Sequence, residues 1–540
     1  MSVDTLAAGC LYDCSTELDV RLPPDTARML LNRTRARANH DRLKALVDSV
    51  VAGGRAAAAA LLEDNPDLTV LDDHQWVNVA CMTLEDSYGL CLFDEQGAGK
   101  TVTTIFAYDT LVARDQADFA LIVAPKSMIA EWPNDFSRFA PDRYDVRIVA
   151  GTKRQKRHTL SQGADVFVTN YETAVALETE LRNVLTRYGD RAVLVIDESF
   201  LAKNLDALRT AALRRLREWC GRAYVLCGTP APNAPQDLVQ QFNTVDFGLT
   251  FLGVEVPDDS DEARTVIQRA INDRGLFVRH CKREVLPDLP QKTFNQVLLP
   301  LQPVQSDLYQ GALLGLIHDI RATDDATFQR QLMSFLARRS ALLQICSNPA
   351  GLVPGYSETP AKLLALDSLL SRFIDSEGEK VIVWSFFTAA IDAIMARYMR
   401  YGPARYDGTV GDVTVRRERI QRFQSDGETM LFVANPAAAG AGLTLHRARI
   451  AIYESMSNQA AHYLQSLDRI HRRGQTRDVE YFVLVCDGTI EVEEYGRLLE
   501  KERAAQQLLG DEPTPSVTRS TLLSELMAAA RMIGVEPCRQ

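Results

Sequence analysis

The chain has 540 residues, a length that predicts about three to four domains rather than one core. Apolar residues make up 46% and charged residues 24% of the sequence, which is ordinary for globular domains that bury a sizeable core. The formal net charge of -11 argues against a passive nucleic-acid coat protein, because such proteins carry a strongly basic field. A protein that grips phosphates through a local groove remains compatible with that charge.

The ten cysteines show no metal-binding spacing. No Cys-x-x-Cys occurs, and Cys10 and Cys14 have no second ligand pair nearby. We therefore expect buried, reduced thiols and a cytoplasmic location. The N-terminal residues lack the layout of a signal peptide, and no apolar run reaches the roughly 18 residues of a membrane span.

The hydrophobic pattern divides the chain into five parts. Short continuous apolar runs alternate with helical segments in two of them, which is typical of buried parallel strands. The predicted fold is α/β, with two doubly wound parallel sheets, helical insertions and a helical N-terminal extension. The parts are a helical accessory region at 1–68, a first α/β domain at 69–248, a helical inter-domain region at 249–354, a second α/β domain at 355–508, and a linker with a C-terminal helix at 509–540. The predicted strands are 89–93, 119–124, 165–169, 192–196, 223–226, 380–384, 430–434, 450–453 and 479–485.

A glycine-rich segment between an apolar run and a helical pattern predicts a phosphate-binding loop. Glycines let backbone N–H groups wrap a phosphate, and the following helix N-terminus favours negative charge. Lys100 would reach the β- and γ-phosphates of ATP, and the Thr101 hydroxyl would hold Mg²⁺. The strict motif has glycine where this chain has Asp94, and the alternative is an ordinary glycine-rich turn. The nucleotide-binding candidates are Gln96, Gly97, Ala98, Gly99, Lys100 and Thr101.

The apolar run Val193–Ile196 ends in two acids, Asp197 and Glu198. Because this pattern follows a phosphate loop in the sequence, it predicts that Asp197 binds Mg²⁺ and that Glu198 orients the attacking water. Two solvated acids at a strand end are the alternative interpretation.

Two further segments fit the same chemistry. The turn after 223–226 contains Gly228 and Thr229, which we interpret as a sensor of the bound nucleotide or, alternatively, as a plain turn. Near the end of the second α/β part, Arg469 and Arg472 are spaced by one helical turn and can face one cleft. Arginines from a second domain can neutralise charge on the γ-phosphate, whereas a solvated basic helix would have no such role.

Taken in order, these motifs resemble the Swi/Snf family of DNA-stimulated ATPases, within the superfamily-two helicase class. The resemblance covers about 70–500 and implies two RecA-like domains. It also implies that Gln75 reads adenine and that Gly442 belongs to the ATP site. The segments that carry it are 71–75, 94–101, 226–233, 277–285, 289–292, 439–444 and 468–475.

The sequence departs from the family pattern at two places. Ser199 and Phe200 follow the acidic pair where the family usually has a histidine at the fourth position, and Met456–Asn458 replaces Trp-Asn-Pro. Neither change touches the predicted Mg²⁺ or arginine chemistry. No accessory chromatin-binding module is recognisable, so we expect a minimal bacterial or phage member.

Nucleic acid is expected along one rim of both α/β domains. Polar side chains at strand ends would bind phosphates without reading sequence. Candidate contacts are Lys126, Ser127, Asn170, Tyr171 and Thr444, and the resemblance adds Arg405–Gly408, Arg416, Arg419 and Phe423. The basic run Lys153–Arg157 is interpreted as a solvated loop, with phosphate contact as the alternative.

The sequence therefore predicts a motor that uses ATP and Mg²⁺ to move along nucleic acid, with double-stranded DNA favoured. One alternative is a strand-separating DNA or RNA helicase. Another is a nucleotide-gated binding module without turnover, against which the intact Lys100, Asp197, Glu198, Arg469 and Arg472 argue. A protein partner would bind through 1–68 or the C-terminal helix, and no membrane is expected.

Overall fold

The computed structural model describes residues 23–62, 66–199, 208–228, 236–257, 260–410, 413–438, 443–456, 460–506 and 519–534. These residues form two compact units: the first comprises the residues up to Pro287 together with Ala504–Gln506, and the second comprises Asp288–Arg503 and Arg519–Gly534. Each unit is built on its own β-sheet, in which all paired strands are parallel.

The first unit contains a seven-stranded sheet. Its strands are β1 Gly89–Leu92, β2 Phe119–Ala124, β3 Val146–Ile148, β4 Val166–Asn170, β5 Ala192–Asp197, β6 Arg222–Leu226 and β7 Phe277–Val278. The strand order is β3-β4-β2-β5-β6-β1-β7. The strands β2, β5, β6 and β1 are buried at every residue, as their continuous apolar runs require.

Helices connect these parallel strands. They are α1 Pro24–Leu61, α2 Asp73–Met82, α3 Lys100–Ala113, α4 Glu131–Phe139, α5 Lys153–Gln162, α6 Tyr171–Ala176, α7 Glu178–Tyr188, α8 Leu208–Arg217, α9 Asp237–Asp246, α10 Ser260–Arg274 and α11 Lys282–Val285. Helix α1 bears out the helical N-terminal extension for its described residues. It is kinked at Gly54, whose φ of 58° and ψ of -145° are not helical, and it packs on α2.

The second unit contains a six-stranded sheet. Its strands are β8 Lys292–Leu299, β9 Val381–Trp384, β10 Ala404–Tyr406, β11 Leu431–Ala434, β12 Ile450–Tyr453 and β13 Val479–Cys486, in the order β10-β11-β9-β12-β13-β8. Alternate residues of β9 enter different cores: Ile382 and Trp384 on one face, Val381 and Val383 on the other. Both faces are therefore covered, and the predicted fold of two doubly wound parallel sheets is confirmed.

The helices of the second unit are α12 Pro303–Arg321, α13 Asp325–Ser347, α14 Ala361–Leu370, α15 Thr388–Arg397, α16 Val413–Ser425, α17 Ala460–Leu467, α18 Ile490–Gln506 and α19 Arg519–Met532. The C-terminal helix α19 buries Leu522, Leu526, Ala529 and Ala530 in a core shared with α12 and α13. That apolar face is used inside the unit, so it is not a free surface for a partner. Among the described helices, none is both long and apolar enough to cross a membrane.

The strands that the sequence pattern did not predict are the four sheet edges: β3, β7, β8 and β10. Strands β7 and β8 lie within 249–354, where only helices were expected. Along β8, half-buried and exposed residues largely alternate, and β3 is only half-buried. Edge strands bury less surface, so they lack the continuous apolar run that marked the central strands.

A buried ion pair joins α14 to the start of α18 in the second unit. The Lys362 ammonium donates to Oε1 of Glu491 at 2.6 Å and to the carbonyl oxygen of Glu454 at 2.7 Å. The Glu454 carboxylate accepts from the hydroxyls of Ser347 at 2.6 Å and Ser385 at 2.7 Å. A charge buried this deeply is tolerated only with such partners.

We predict that Lys362→Met lowers the free energy of unfolding by about 3–5 kcal/mol, because it leaves the Glu491 carboxylate buried without its cation. Denaturant unfolding followed by circular dichroism measures this. Arg338→Ala is the control: its pair with Asp319 is exposed, and its loss should cost under about 1 kcal/mol. Equal losses in the two variants would contradict the assignment of Lys362 as a stabilising buried charge.

Candidate nucleotide-binding site

The glycine-rich segment forms a loop between β1 and α3, at the carboxyl edge of the first sheet. Gly97 and Gly99 both have a φ of 87°, in the left-handed region that side chains rarely adopt. A Cβ on Gly99 would also lie 2.2 Å from Nε2 of Gln75. Helix α3 begins at Lys100, and the first N–H groups of a helix have no partners within it. The loop therefore has the geometry of an anion site.

The Lys100 side chain is buried within this loop. Its ammonium donates to the carbonyl oxygens of Asp94 at 2.8 Å and Glu95 at 3.4 Å. The N–H of Ala98 donates to the Glu95 carbonyl at 3.2 Å, which closes a turn. Thr101, the predicted Mg²⁺ ligand, lies half-buried in the first turn of α3. The ammonium is thus held at the point that a bound phosphate would approach.

Asp94 replaces the glycine of the strict motif, and the structure explains why an acid stands there. Its fully buried carboxylate accepts from Nδ2 of Asn78 at 2.6 Å. It also accepts from the backbone N–H of His280 at 2.8 Å, and Nδ1 of the same ring lies 2.9 Å away. Asp94 therefore fastens the loop to α2 and to the segment after β7. The sequence showed the departure but not its partners, which are 16 and 186 positions away.

The first turn of helix α2 contacts the phosphate loop. Gln75 accepts from the Asp72 N–H at 2.9 Å, closing a capping box, and its amide donates to the Ala98 carbonyl at 3.3 Å. Nε2 of His74 lies 2.8 Å from the same carbonyl oxygen. Gln75 is thus placed against the phosphate loop, and its predicted contact with adenine stays a prediction.

Asp197 and Glu198 are buried where β5 ends. Nε2 of Gln96 donates to Oε1 of Glu198 at 2.7 Å, so the phosphate loop and the acidic pair meet directly. Oε2 of Glu198 is buried without a hydrogen-bond partner. Burial is the main cause that raises the pKa of Asp197 to about 7, and the negative charge of the neighbouring Glu198 is the second. The positive charge of Lys100 lowers this pKa in part.

This arrangement fits a divalent cation. Two adjacent buried carboxylates, one with an unpartnered oxygen, are costly unless positive charge accompanies them. Carboxylate and hydroxyl oxygens are the ligands that Mg²⁺ prefers. Asp197 and Thr101 are the residues that would hold it.

The predicted sensor turn also reaches the loop. A Cβ on Gly228 would lie 2.7 Å from Cγ of Gln96, so this glycine permits close approach of the two segments. Thr229 lies outside the described residues, as do Phe200 and Asn458. Ser199, the first departure from the family pattern, is described: its hydroxyl donates to Oε1 of Gln241 at 2.5 Å.

The predicted nucleic-acid contact at Tyr171 is wrong. Only 2% of this residue is exposed, and its hydroxyl donates to the carbonyl oxygens of Asp197 at 2.6 Å and Glu198 at 3.2 Å. The residue after a strand usually reaches the surface, but here α6 begins at Tyr171 and turns the ring into the core.

The other predicted contacts lie nearer the surface. Lys126 is exposed, and Ser127 and Thr444 are half-buried. Asn170 is half-buried and caps α6 with its side-chain oxygen. These four positions stay predictions.

In the stretch from Arg405 to Phe423, burial excludes a nucleic-acid contact only for Phe423, and the contacts predicted for the three half-buried arginines stay predictions. Arg405 pairs with Asp407, and Arg419 donates to the Arg405 carbonyl at 2.8 Å. Arg416 donates to a backbone carbonyl at 2.6 Å, and Phe423 is fully buried. Spacing alone could not show that these groups stabilise the turn after β10.

The basic run Lys153–Arg157 is the first turn of α5, not a loop. Thr152 and Gln155 form a capping box there. Lys156 donates to the Thr173 hydroxyl at 2.8 Å, and Arg157 forms an ion pair with Glu180 of α7 at 2.7 Å.

Arg469 and Arg472 belong to the second unit. Helix α17 ends at Leu467, so both arginines lie in turns rather than on the predicted helix. They nevertheless converge, because NH1 of Arg469 lies 3.5 Å and NH1 of Arg472 lies 3.3 Å from the Leu443 carbonyl oxygen. Gly442, the preceding residue, lies outside the described residues.

The residues around these arginines hold the turn in place. Nε2 of Gln475 donates to the carbonyl oxygens of Ala448 at 2.9 Å and His446 at 3.0 Å. Nε2 of His471 lies 2.7 Å from the carbonyl oxygen of Pro290. The last residues of the motif therefore have a structural role that the sequence did not reveal.

The expectation of buried free thiols is confirmed for the described cysteines, of which only Cys281 is half-buried. Ligand atoms of Cys346, Cys486 and Glu491 lie within 4.8 Å of one another. The ammonium of Lys362 already bonds to that carboxylate, so we assign no metal to this cluster.

Two parallel-sheet units, the first with a phosphate loop facing a buried acidic pair, define the class of helicase-like P-loop proteins. Residues 72–351 match the model of the SNF2-related domain, and residues 361–474 match the helicase conserved C-terminal domain. The first match alone covers more than half of the chain. The chain belongs to the SNF2-related family.

Its relatives include much longer proteins. The chain is 27% identical over 472 residues to the ISWI chromatin-remodeling complex ATPase ISW1 of Saccharomyces cerevisiae, covering 80% of this chain and 39% of that protein. It is 27% identical over 488 residues to Chromodomain-helicase-DNA-binding protein 1-like of Danio rerio, covering 85% and 45%. The alignment therefore spans less than half the length of these relatives. The Sulfolobus solfataricus SWI2/SNF2 ATPase core in complex with dsDNA aligns at 21% identity over 82% of this chain and 97% of that one, with a TM-score of 0.36.

We predict that Gly99→Ala weakens nucleotide binding by at least about tenfold, because it adds strain at a positive φ and a clash with Gln75. Calorimetric titration with ADP measures the change. Gly427→Ala is the control, since a Cβ there meets nothing within 4 Å. Wild-type affinity in Gly99→Ala would remove the loop from the binding site.

Proposed function

We propose that this protein is an ATP-dependent motor that translocates on double-stranded DNA, remodelling the DNA or displacing bound proteins. The observation that carries the proposal is the direct contact between Gln96 of the phosphate loop and Glu198, beside the buried Lys100 and Asp197. Membership of the SNF2-related family supports it. In this proposal 69–248 binds ATP and 355–508 is the second motor domain.

Each polar group has a distinct task in hydrolysis. Lys100 exchanges its carbonyl partners for the oxygens of the β- and γ-phosphates. Oε2 of Glu198 accepts a hydrogen bond from the attacking water, while Gln96 fixes the other carboxylate oxygen. Asp197 and Thr101 would hold Mg²⁺, which would neutralise charge developing on the phosphates. Gln75 would read the adenine.

The second unit supplies further positive charge. We assign Arg469 and Arg472 to the developing charge of the transferred phosphoryl group, a role in which arginines are worth about 10³-fold or more in rate. Gly442 and Thr229 are assigned to the same nucleotide site.

Contacts to DNA are assigned to phosphates. Lys126, Ser127, Asn170 and Thr444 carry ammonium, hydroxyl and amide groups that bind phosphate oxygens without reading bases. Affinity should therefore fall steeply with salt and depend little on sequence. The names of the two relatives, which refer to chromatin remodelling and DNA binding, support DNA as the substrate.

We predict that Lys100→Ala and Glu198→Gln both abolish ATP turnover, but by different routes. Loss of the ammonium should also weaken ATP binding, because it contacts the phosphates of the ground state. Glu198→Gln should bind ATP and leave it unhydrolysed, because only water activation is lost. Equilibrium binding of labelled ATP and phosphate release measure the two effects. Wild-type turnover by Glu198→Gln would show that another residue orients the water.

The substrate is tested by ATP hydrolysis without nucleic acid and with duplex DNA, single-stranded DNA or RNA, at fixed salt. We expect the largest stimulation with duplex. In parallel, displacement of a third strand from a triplex reports movement along duplex, and unwinding of a forked duplex reports strand separation. Triplex displacement without unwinding supports the proposal. Unwinding without triplex displacement would indicate a helicase, and nucleotide-dependent DNA binding without hydrolysis would indicate a binding module.

A further inference from the structure

Trp132 contacts the carboxylate that is assigned to Mg²⁺. It lies at the start of α4, which follows β2, and its side chain is fully buried. Its indole N–H donates to Oδ2 of Asp197 at 3.1 Å. A carboxylate that accepts a bond from a rigid, buried donor has a fixed orientation.

Tyr171 holds the backbone of the same pair. Its hydroxyl lies within hydrogen-bond distance of the carbonyl oxygens of both Asp197 and Glu198. Glu198 has a φ of 51°, a left-handed conformation that is unfavourable for a side chain of this size. A buried donor at this point holds the backbone on both sides of the peptide bond that joins the two acids.

The two aromatic residues reach Asp197 from adjacent strands. Strands β4, β2 and β5 are neighbours in the sheet, and Tyr171 and Trp132 lie beyond the carboxyl ends of the first two. Gln96 approaches Glu198 from the phosphate loop that follows β1. The acidic pair is therefore held by donors from three separate segments.

We propose that Trp132 and Tyr171 are positioning residues: the indole orients Asp197 toward Mg²⁺, and the phenol sets the backbone that aims Glu198 at the attacking water. This inference rests on the proposed ATP site. The indole acts through the Asp197 carboxylate, and the phenol acts through the backbone carbonyl groups of Asp197 and Glu198.

Trp132→Phe tests the first role, with Trp384→Phe as the matched control. Both residues are fully buried tryptophans, but the Trp384 indole nitrogen has no hydrogen-bond partner. The measurement is calorimetric affinity for ADP with Mg²⁺ and with EDTA, and the ratio of the two affinities gives the contribution of Mg²⁺. We expect Trp132→Phe to reduce this ratio at least about fivefold, as loss of a hydrogen bond to a charged group predicts. The affinity in EDTA should stay unchanged, and Trp384→Phe should keep the wild-type ratio.

Tyr171→Phe tests the second role. The control is Tyr108→Phe, which also removes a buried hydroxyl bonded to a backbone carbonyl of the first unit, that of Asp165 at 3.2 Å. In single-turnover hydrolysis, Tyr171→Phe should lower the rate about tenfold while its ATP dissociation constant stays at the wild-type value. Tyr108→Phe should change neither quantity.

The inference is overturned if Trp132→Phe and Trp384→Phe show the same ratio of ADP affinities with Mg²⁺ and with EDTA. It is also overturned if Tyr171→Phe hydrolyses ATP at the rate of Tyr108→Phe. Either result leaves the proposed function standing, whereas absence of hydrolysis by the wild-type chain overturns the proposed function itself. Circular dichroism during heating checks that each variant is folded. Should Trp132→Phe unfold, Tyr171→Phe, which removes one hydroxyl and no packing, decides the outcome.

Discussion

The burial of two adjacent carboxylates is the constraint on which the first unit depends. Asp197 and Glu198 lie where β5 ends, out of water, and uncompensated negative charge there would be very costly. Donors from Trp132, Tyr171 and Gln96 therefore surround the pair. These bonds leave one oxygen of Glu198, Oε2, buried without a hydrogen-bond partner. The same burial makes this pair of carboxylates costly unless positive charge accompanies it.

Buried charges also stabilise the phosphate loop and, separately, the interior of the second unit. Asp94, buried under the phosphate loop, is satisfied by Asn78 and His280, and this ties the loop to helix α2 and to the last strand of its sheet. In the second unit, Lys362 and Glu491 form a buried pair joined to the ends of several elements. Each of these buried charges contacts segments that are distant in sequence. Those contacts offset the free energy lost when the charge is removed from water.

Tyr171 and the arginines of the stretch 405–423 show what residue type alone leaves open. All are polar residues near strand ends, a position that is typical of ligand contacts. The structure instead engages them with backbone carbonyls within their own unit. Type and spacing of a residue indicate what it can donate, whereas its rotamer and its neighbours determine which acceptor it finds. Arg469 and Arg472, which were expected on a helix, lie beyond its end at Leu467, and both contact the Leu443 carbonyl oxygen.

The sequence by itself determined the two parallel sheets, the phosphate loop and the acidic pair, because central strands are continuous apolar runs and catalytic motifs are local. It did not determine the four edge strands, which are too short or too exposed to show that pattern. Only the tertiary structure decided that Gln96 contacts Glu198, 102 positions away, and that Trp132 contacts Asp197, 65 positions away. Such contacts depend on how the strands are ordered in the sheet, and strand order is set by packing rather than by any local pattern.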